Sequence, residues 1–105
     1  MLDNLYPDPN CRRWQAISLL LANDAGLLDF LFRKDRNRLN GPAQELREFA
    51  GAFSSGQKLL IQIALDVWSG EGNAQLWDIV SVLDAVRFEG FMLAMECLRY
   101  GTEAN

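Results

Sequence analysis

Residues 53–60, Phe-Ser-Ser-Gly-Gln-Lys-Leu-Leu, hold the sharpest local chemistry in the chain. Ser54 stands where a helix would start, and Gln57 follows at capping-box spacing. The free N–H groups of a first helical turn, the Ser54 and Ser55 hydroxyls, the close approach permitted at Gly56 and the Lys58 cation would together favour an anion. Helix capping alone accounts for the same residues. A second cluster, Arg33-Lys34-Asp35-Arg36-Asn37-Arg38, carries four bases in six residues. Arg33, Lys34, Arg36 and Arg38 in one loop could grip phosphates or a carboxylate-rich partner. Arg33 and Lys34 equally suit the negative end of a preceding helix. No aromatic is interleaved with them, so a stacking platform for single strands is unsupported.

Other chemistries are excluded by what the chain lacks. There is no histidine, so Ser–His and Cys–His nucleophile pairs cannot be built within it. The two cysteines, Cys11 and Cys97, are far apart and form no C-x-x-C pair, so they read as thiols in a reducing cytosol rather than zinc ligands. Glu45 and Glu48 point outward near Arg47, while Asp66, Asp78 and Asp84 read as isolated, solvated carboxylates. No catalytic residue, metal ligand or cofactor is expected. The net charge is −4. Residues 1–50 are neutral, with seven acids and seven bases, whereas residues 51–105 carry seven acids against three bases, Lys58, Arg87 and Arg99. A duplex binder normally shows a basic surplus, so nucleic acid is an unexpected partner outside a local contact through the basic loop.

The Phe53–Leu60 stretch resembles the Ser-Gly-Gly-Gln segment that opens a helix in ABC-type ATPases and in related chromosome-maintenance and recombination ATPases. There the segment contacts the nucleotide γ-phosphate across a dimer, so the resemblance implies a phosphate contact at Ser54, Ser55, Gly56 and Lys58. It covers about eight residues. The chain has no Gly-x-x-x-x-Gly-Lys-Ser/Thr loop and no hydrophobic strand ending in a catalytic acid, so an ATPase reading fails.

The elements that must position these residues read as helices throughout. Asp8 and Pro9 can open the first, whose Trp14, Ile17, Leu20 and Leu21 share a face. Asp24 reads as the next N-cap, before Leu27, Leu28, Leu31 and Phe32. Residues 35–41 form the longest loop. Pro42 restarts a helix with Ala43, Leu46, Phe49, Ala50 and Phe53 on one stripe. Ser54 caps a fourth helix carrying Leu60, Ile63, Ala64, Val67 and Trp68, closed by Ser69-Gly70-Glu71-Gly72. Asn73 is expected to cap a fifth, with Leu76, Ile79, Val80 and Leu83. Asp84 caps the last, whose Phe88, Phe91, Met92, Met95 and Leu98 share a side, and Gly101 ends it.

The expectation is therefore an all-α single domain over residues 1–105, with five or six short helices in an orthogonal or irregular bundle and ends that fray at 1–7 and 102–105. The apolar residues of the fourth and last helices exceed one stripe, so these helices are either central to the core or face a partner. Trp77, Phe91, Met95 and Tyr100 are the interface candidates. The function expected is a non-catalytic, cytosolic protein-interaction domain that binds a partner protein or a second copy. A small anion or nucleotide sensor is the alternative. No segment reads as a membrane span or as a secretory signal.

Overall fold

The computed structural model describes residues 12–24, 26–33 and 39–101. Six helices follow one another: α1 Arg12–Leu20, α2 Gly26–Leu31, α3 Ala43–Phe49, α4 Ser55–Ser69, α5 Leu76–Val82 and α6 Ala85–Tyr100, with a 3₁₀ turn at Ala50–Ala52. Among the described residues the extended backbone pairs only in an isolated bridge, Phe32 with Leu39, so the fold is all-α. The openings expected at Asp8 and Pro9, the thiol Cys11, and residues 102–105 lie outside the described residues.

Helix α4 is the centre of the core. Ser54 caps it as its spacing requires: the hydroxyl accepts from the Gln57 N–H and the Gln57 side chain accepts from the Ser54 N–H. Leu59, Leu60, Ile61, Ile63, Ala64, Leu65 and Trp68 are all buried, which is more than one stripe. That breadth belongs to a helix covered on most sides. α1, α2, α3 and α5 each pack on it. Its end is a left-handed Gly70 (φ 78°), whose N–H reaches back to the carbonyls of Leu65 and Asp66, the conformation glycine adopts without a Cβ penalty. Edge-to-face contacts run from Trp14 of α1 to Phe32 at 5.2 Å and on to Trp68 of α4 at 5.1 Å.

Helix α6 departs from its expected face. Its buried residues are Gly90, Ala94 and Cys97, and they turn toward α1, its principal neighbour. Phe88, Phe91, Met95 and Leu98 are only half-buried, and Met92 is exposed. Apolar periodicity weights bulk, but the closest helix contact is made by the smallest side chains, because they let backbones approach. A Cβ placed on Gly90 would lie 3.2 Å from the Leu19 carbonyl oxygen.

Three smaller corrections concern helix ends and edges. α2 ends at Leu31 with no base in its last turn, so Arg33 follows the helix rather than closing it. The end of α2 is closed instead by Asn40, whose Nδ2 donates to the carbonyls of Asp29 and Phe30 in the helix and of Phe32 just beyond it. Phe49 is 68% exposed: it lies at the margin of the stripe through Ala43, Leu46 and Ala50. Phe53 is half-buried and packs edge-to-face on Phe30 at 5.1 Å. α5 starts at Leu76 with Gln75 as its cap, and Asn73 instead takes a positive φ of 60° in the preceding loop.

Replacing Gly90 by leucine is expected to drive α1 and α6 apart, since the atom it meets is backbone and cannot rotate away. The loss should be about 2–3 kcal/mol of unfolding free energy, read by urea denaturation against the wild-type chain. An unchanged midpoint would mean that the helices are not held at this distance.

Candidate functional site

The two helices with surplus apolar surface face each other across an open cleft of about 540 Å³. Ile63 and Val67 come from α4, Ile79 from α5, and Phe91, Met95 and Leu98 from α6. The last three recur at i, i+4 and i+7 and so form one continuous wall. Arg13, Asp66 and Ser69 supply polar edges. Of the interface candidates, Phe91 and Met95 are in this wall. Trp77 and Tyr100 stand outside it, 76% and 74% exposed. Trp77 belongs to the outer face of α5 with the exposed Leu76 and Val80, and Tyr100 lies under the Arg99 guanidinium at 5.7 Å. Ile63, Val67 and Ile79 read as ordinary core positions in sequence. Their place in the cleft depends on how α5 is set against α4.

Asp66 sets it. Its carboxylate accepts from the N–H groups of Gly72 (2.8 Å), Asn73 (3.1 Å) and Ala74 (2.9 Å). It is therefore a loop clamp rather than an isolated solvated acid. Gly72 is required beside it, because an added Cβ would overlap the Gln62 carbonyl. The clamp folds the connection back onto α4 and places Ala74 and Ile79 at the edge of the cleft. Asp66→Ala is expected to remove about 2–3 kcal/mol, as three hydrogen bonds to a charged group are lost. Hydrogen exchange at Gly72, Asn73 and Ala74 should accelerate well beyond that at α4. Retained protection there would show that something else holds the loop.

At the start of α4, Ser54 is engaged with Gln57, Ser55 and Lys58 are exposed, and Gly56 is half-buried. Arg87 also reaches this turn: a Cβ on Gly56 would meet its Nη1 at 3.6 Å. Arg87 is held from two sides. Its Nε and Nη2 donate to Asp24 at 2.9 and 2.8 Å, and its Nη1 donates to Asp84 at 3.0 Å. Asp84 also caps α6, accepting from the Arg87 N–H as its position predicts, so it too is no isolated acid. Asp24 is buried, and its carboxylate takes Arg87 and, at 3.5 Å, the Gln57 amide. Its side chain ties α6 to α4 rather than capping a helix end. Arg33 is exposed. Lys34, Arg36 and Arg38 lie outside the described residues.

The Arg87 hydrogen bonds hold the Asp24 carboxyl below the usual carboxylate range, against the opposing effect of burial, and Arg87 is raised in turn. A depressed acid stabilises the fold above its unfolded value and loses that contribution as pH falls through its folded one. Asp24→Asn should therefore cost about 2–3 kcal/mol at neutral pH. The gap between wild type and variant should close below about pH 4, measured by urea unfolding across pH. A constant gap would mean that shape rather than charge is being lost.

Among the described residues no three His, Cys, Asp or Glu side chains gather as a metal site would need, and no helix is long and apolar enough to cross a membrane. No family model, curated protein or solved structure matches the chain, and the candidate surface stands on its geometry.

Proposed function

We propose that this chain is a small, non-catalytic protein-interaction domain whose binding surface is the cleft between α4, α5 and α6 together with the outer face of α5. The observation that carries this reading is the open, mainly apolar cleft between α4, α5 and α6, and α5 exposes further apolar surface at Leu76, Trp77 and Val80. An exposed tryptophan is the kind of residue that dominates binding energy when a partner covers it. Three carboxylates have structural tasks: Asp24 and Asp84 hold Arg87, and Asp66 clamps a loop. The buried Cys97 thiol suits a reducing, cytosolic setting.

The test uses the full chain as bait in lysate of its native host, beside Trp77→Ala and Met95→Lys. Trp77 is exposed, so its removal leaves the fold intact. A stoichiometric partner should be retained by wild type, be weakened about 30-fold by Trp77→Ala and be lost with Met95→Lys, while circular dichroism confirms helicity in each. A partner indifferent to both substitutions would place the binding surface elsewhere.

A further inference from the structure

We infer that residues 2–6 of this chain occupy the cleft when no partner is bound, and that a partner must displace them. The inference rests on the reading of the cleft as a docking surface and adds what governs access to it. The place where the chain enters α1 points to it. The Cys97 thiol donates to the Arg12 carbonyl at 3.7 Å, and Cys97 adjoins Leu98, where the apolar wall ends. Arg12 Nη1 donates to the Leu98 carbonyl at 3.4 Å. Arg13, itself in the cleft lining, donates to the Trp68 carbonyl at 3.1 Å. The chain ahead of Arg12 therefore starts from the Leu98 end of the cleft. Gly90 meets Leu19, so α1 and α6 run in opposite directions, and the chain reaches Phe91 by folding back along α6. Asp8, Pro9 and Asn10 are residues that favour such a reversal. The wall is about 10 Å long, and the stretch from Tyr6 to Arg12 can span about 20 Å, so the reach suffices.

The residues of the segment fit what they would meet. Leu2, Leu5 and Tyr6 stand at i, i+3 and i+4, a spacing that gathers side chains on one face of a helical turn. They supply apolar bulk for a wall of Phe91, Met95 and Leu98. Residues 1–11 also carry Asp3 and Asp8 and neither lysine nor arginine. At the near end of the cleft the charges are cations. Arg12 and Arg13 each donate to a carbonyl, and neither has a carboxylate partner among the described residues. Asp66, the acid in the lining, is taken up by the amides of Gly72, Asn73 and Ala74. An acidic apolar segment thus complements both the floor and the end from which it arrives. Tethering favours it over the same segment of a second copy. A short connection holds it at an effective concentration on the order of millimolar, which a separate molecule must exceed.

The test uses the full chain, isotope-labelled in its methionine, leucine and isoleucine methyl groups and its tyrosine rings. Nuclear Overhauser contacts are expected from the Met95 methyl to the Leu5 methyls and the Tyr6 ring. The full-length double variant Leu5→Ser, Tyr6→Ser should lose them and shift the Met95, Ile63 and Ile79 methyl resonances. Both substitutions lie ahead of α1, so circular dichroism should be unchanged. With the cleft uncovered, the variant should retain a lysate partner about fivefold or more better than wild type, because a larger fraction of the chain is competent to bind. The contacts themselves are read in the wild-type chain and do not depend on the variant folding.

Absence of those contacts, with cleft methyl resonances indifferent to the double variant, would overturn the inference and leave the cleft open as a docking surface. Contacts that fade on about tenfold dilution would overturn it in favour of a segment supplied by a second copy. A partner lost with Met95→Lys yet held equally by wild type and the double variant would overturn the segment's control of the cleft while leaving the docking reading intact. Contacts in the wild-type chain with no lysate protein retained by either form would uphold the segment in the cleft and remove the docking reading instead.

Discussion

The seven buried side chains of α4, from Leu59 to Trp68, have to be kept from water on nearly every side, and the placement of the other helices follows from how that is done. α1 covers one side, α2 and α3 with its 3₁₀ extension cover others, and α5 lies along part of what remains. α6 does not complete the cover. Its closest packing is on α1, through Gly90, Ala94 and Cys97. The face bearing Phe91, Met95 and Leu98 therefore looks toward α4 and α5 across a space. The cleft is the consequence of two packing choices: a short α5 that cannot cover α4 alone, and a small-residue seam that draws α6 toward α1.

The same division of labour runs through the charges. A buried carboxylate must be paired, and Asp24 finds its partner on α6, sixty-three positions along the chain, in Arg87. That pair crosses the fold at the end of α4 where Gln57 also reaches Asp24. Asp84 satisfies the first turn of α6 and the remaining guanidinium nitrogen at once. Asp66 replaces water for three loop amides. Asp78 of α5 and Glu89 and Glu96 of α6 stay exposed.

Local patterns were legible where the cause is local. The Ser54–Gln57 box, the Asp84 cap, the Gly70 and Gly101 ends and the Trp14-Ile17-Leu20-Leu21 face depend on residues within a turn or two of one another, and all appear as read. Misreadings fall where the cause is distant. Nothing within α6 says that Gly90, rather than Phe91 or Met92, will meet a neighbour, because that depends on the backbone of Leu19. Asp24 has the sequence neighbourhood of a cap, and only the folded chain brings Arg87 to it. Asn40 closes α2 from nine residues beyond its last residue, Leu31. Asn73 sits before a helix like many caps, yet the Asp66 carboxylate bends the loop so that it takes a positive φ instead. The apolar excess of two helices was visible in sequence. Its resolution, core for α4 and partly open cleft for α6, required knowing which helix α6 would choose.

The energetics of the cleft constrain how it can be used. Three apolar side chains removed from water contribute about 1.5–3 kcal/mol each. Association itself costs about 4–15 kcal/mol in lost freedom, so filling the cleft alone yields weak and short-lived docking. Tighter binding requires the partner to extend over Leu76, Trp77 and Val80, where the exposed indole offers the largest single increment.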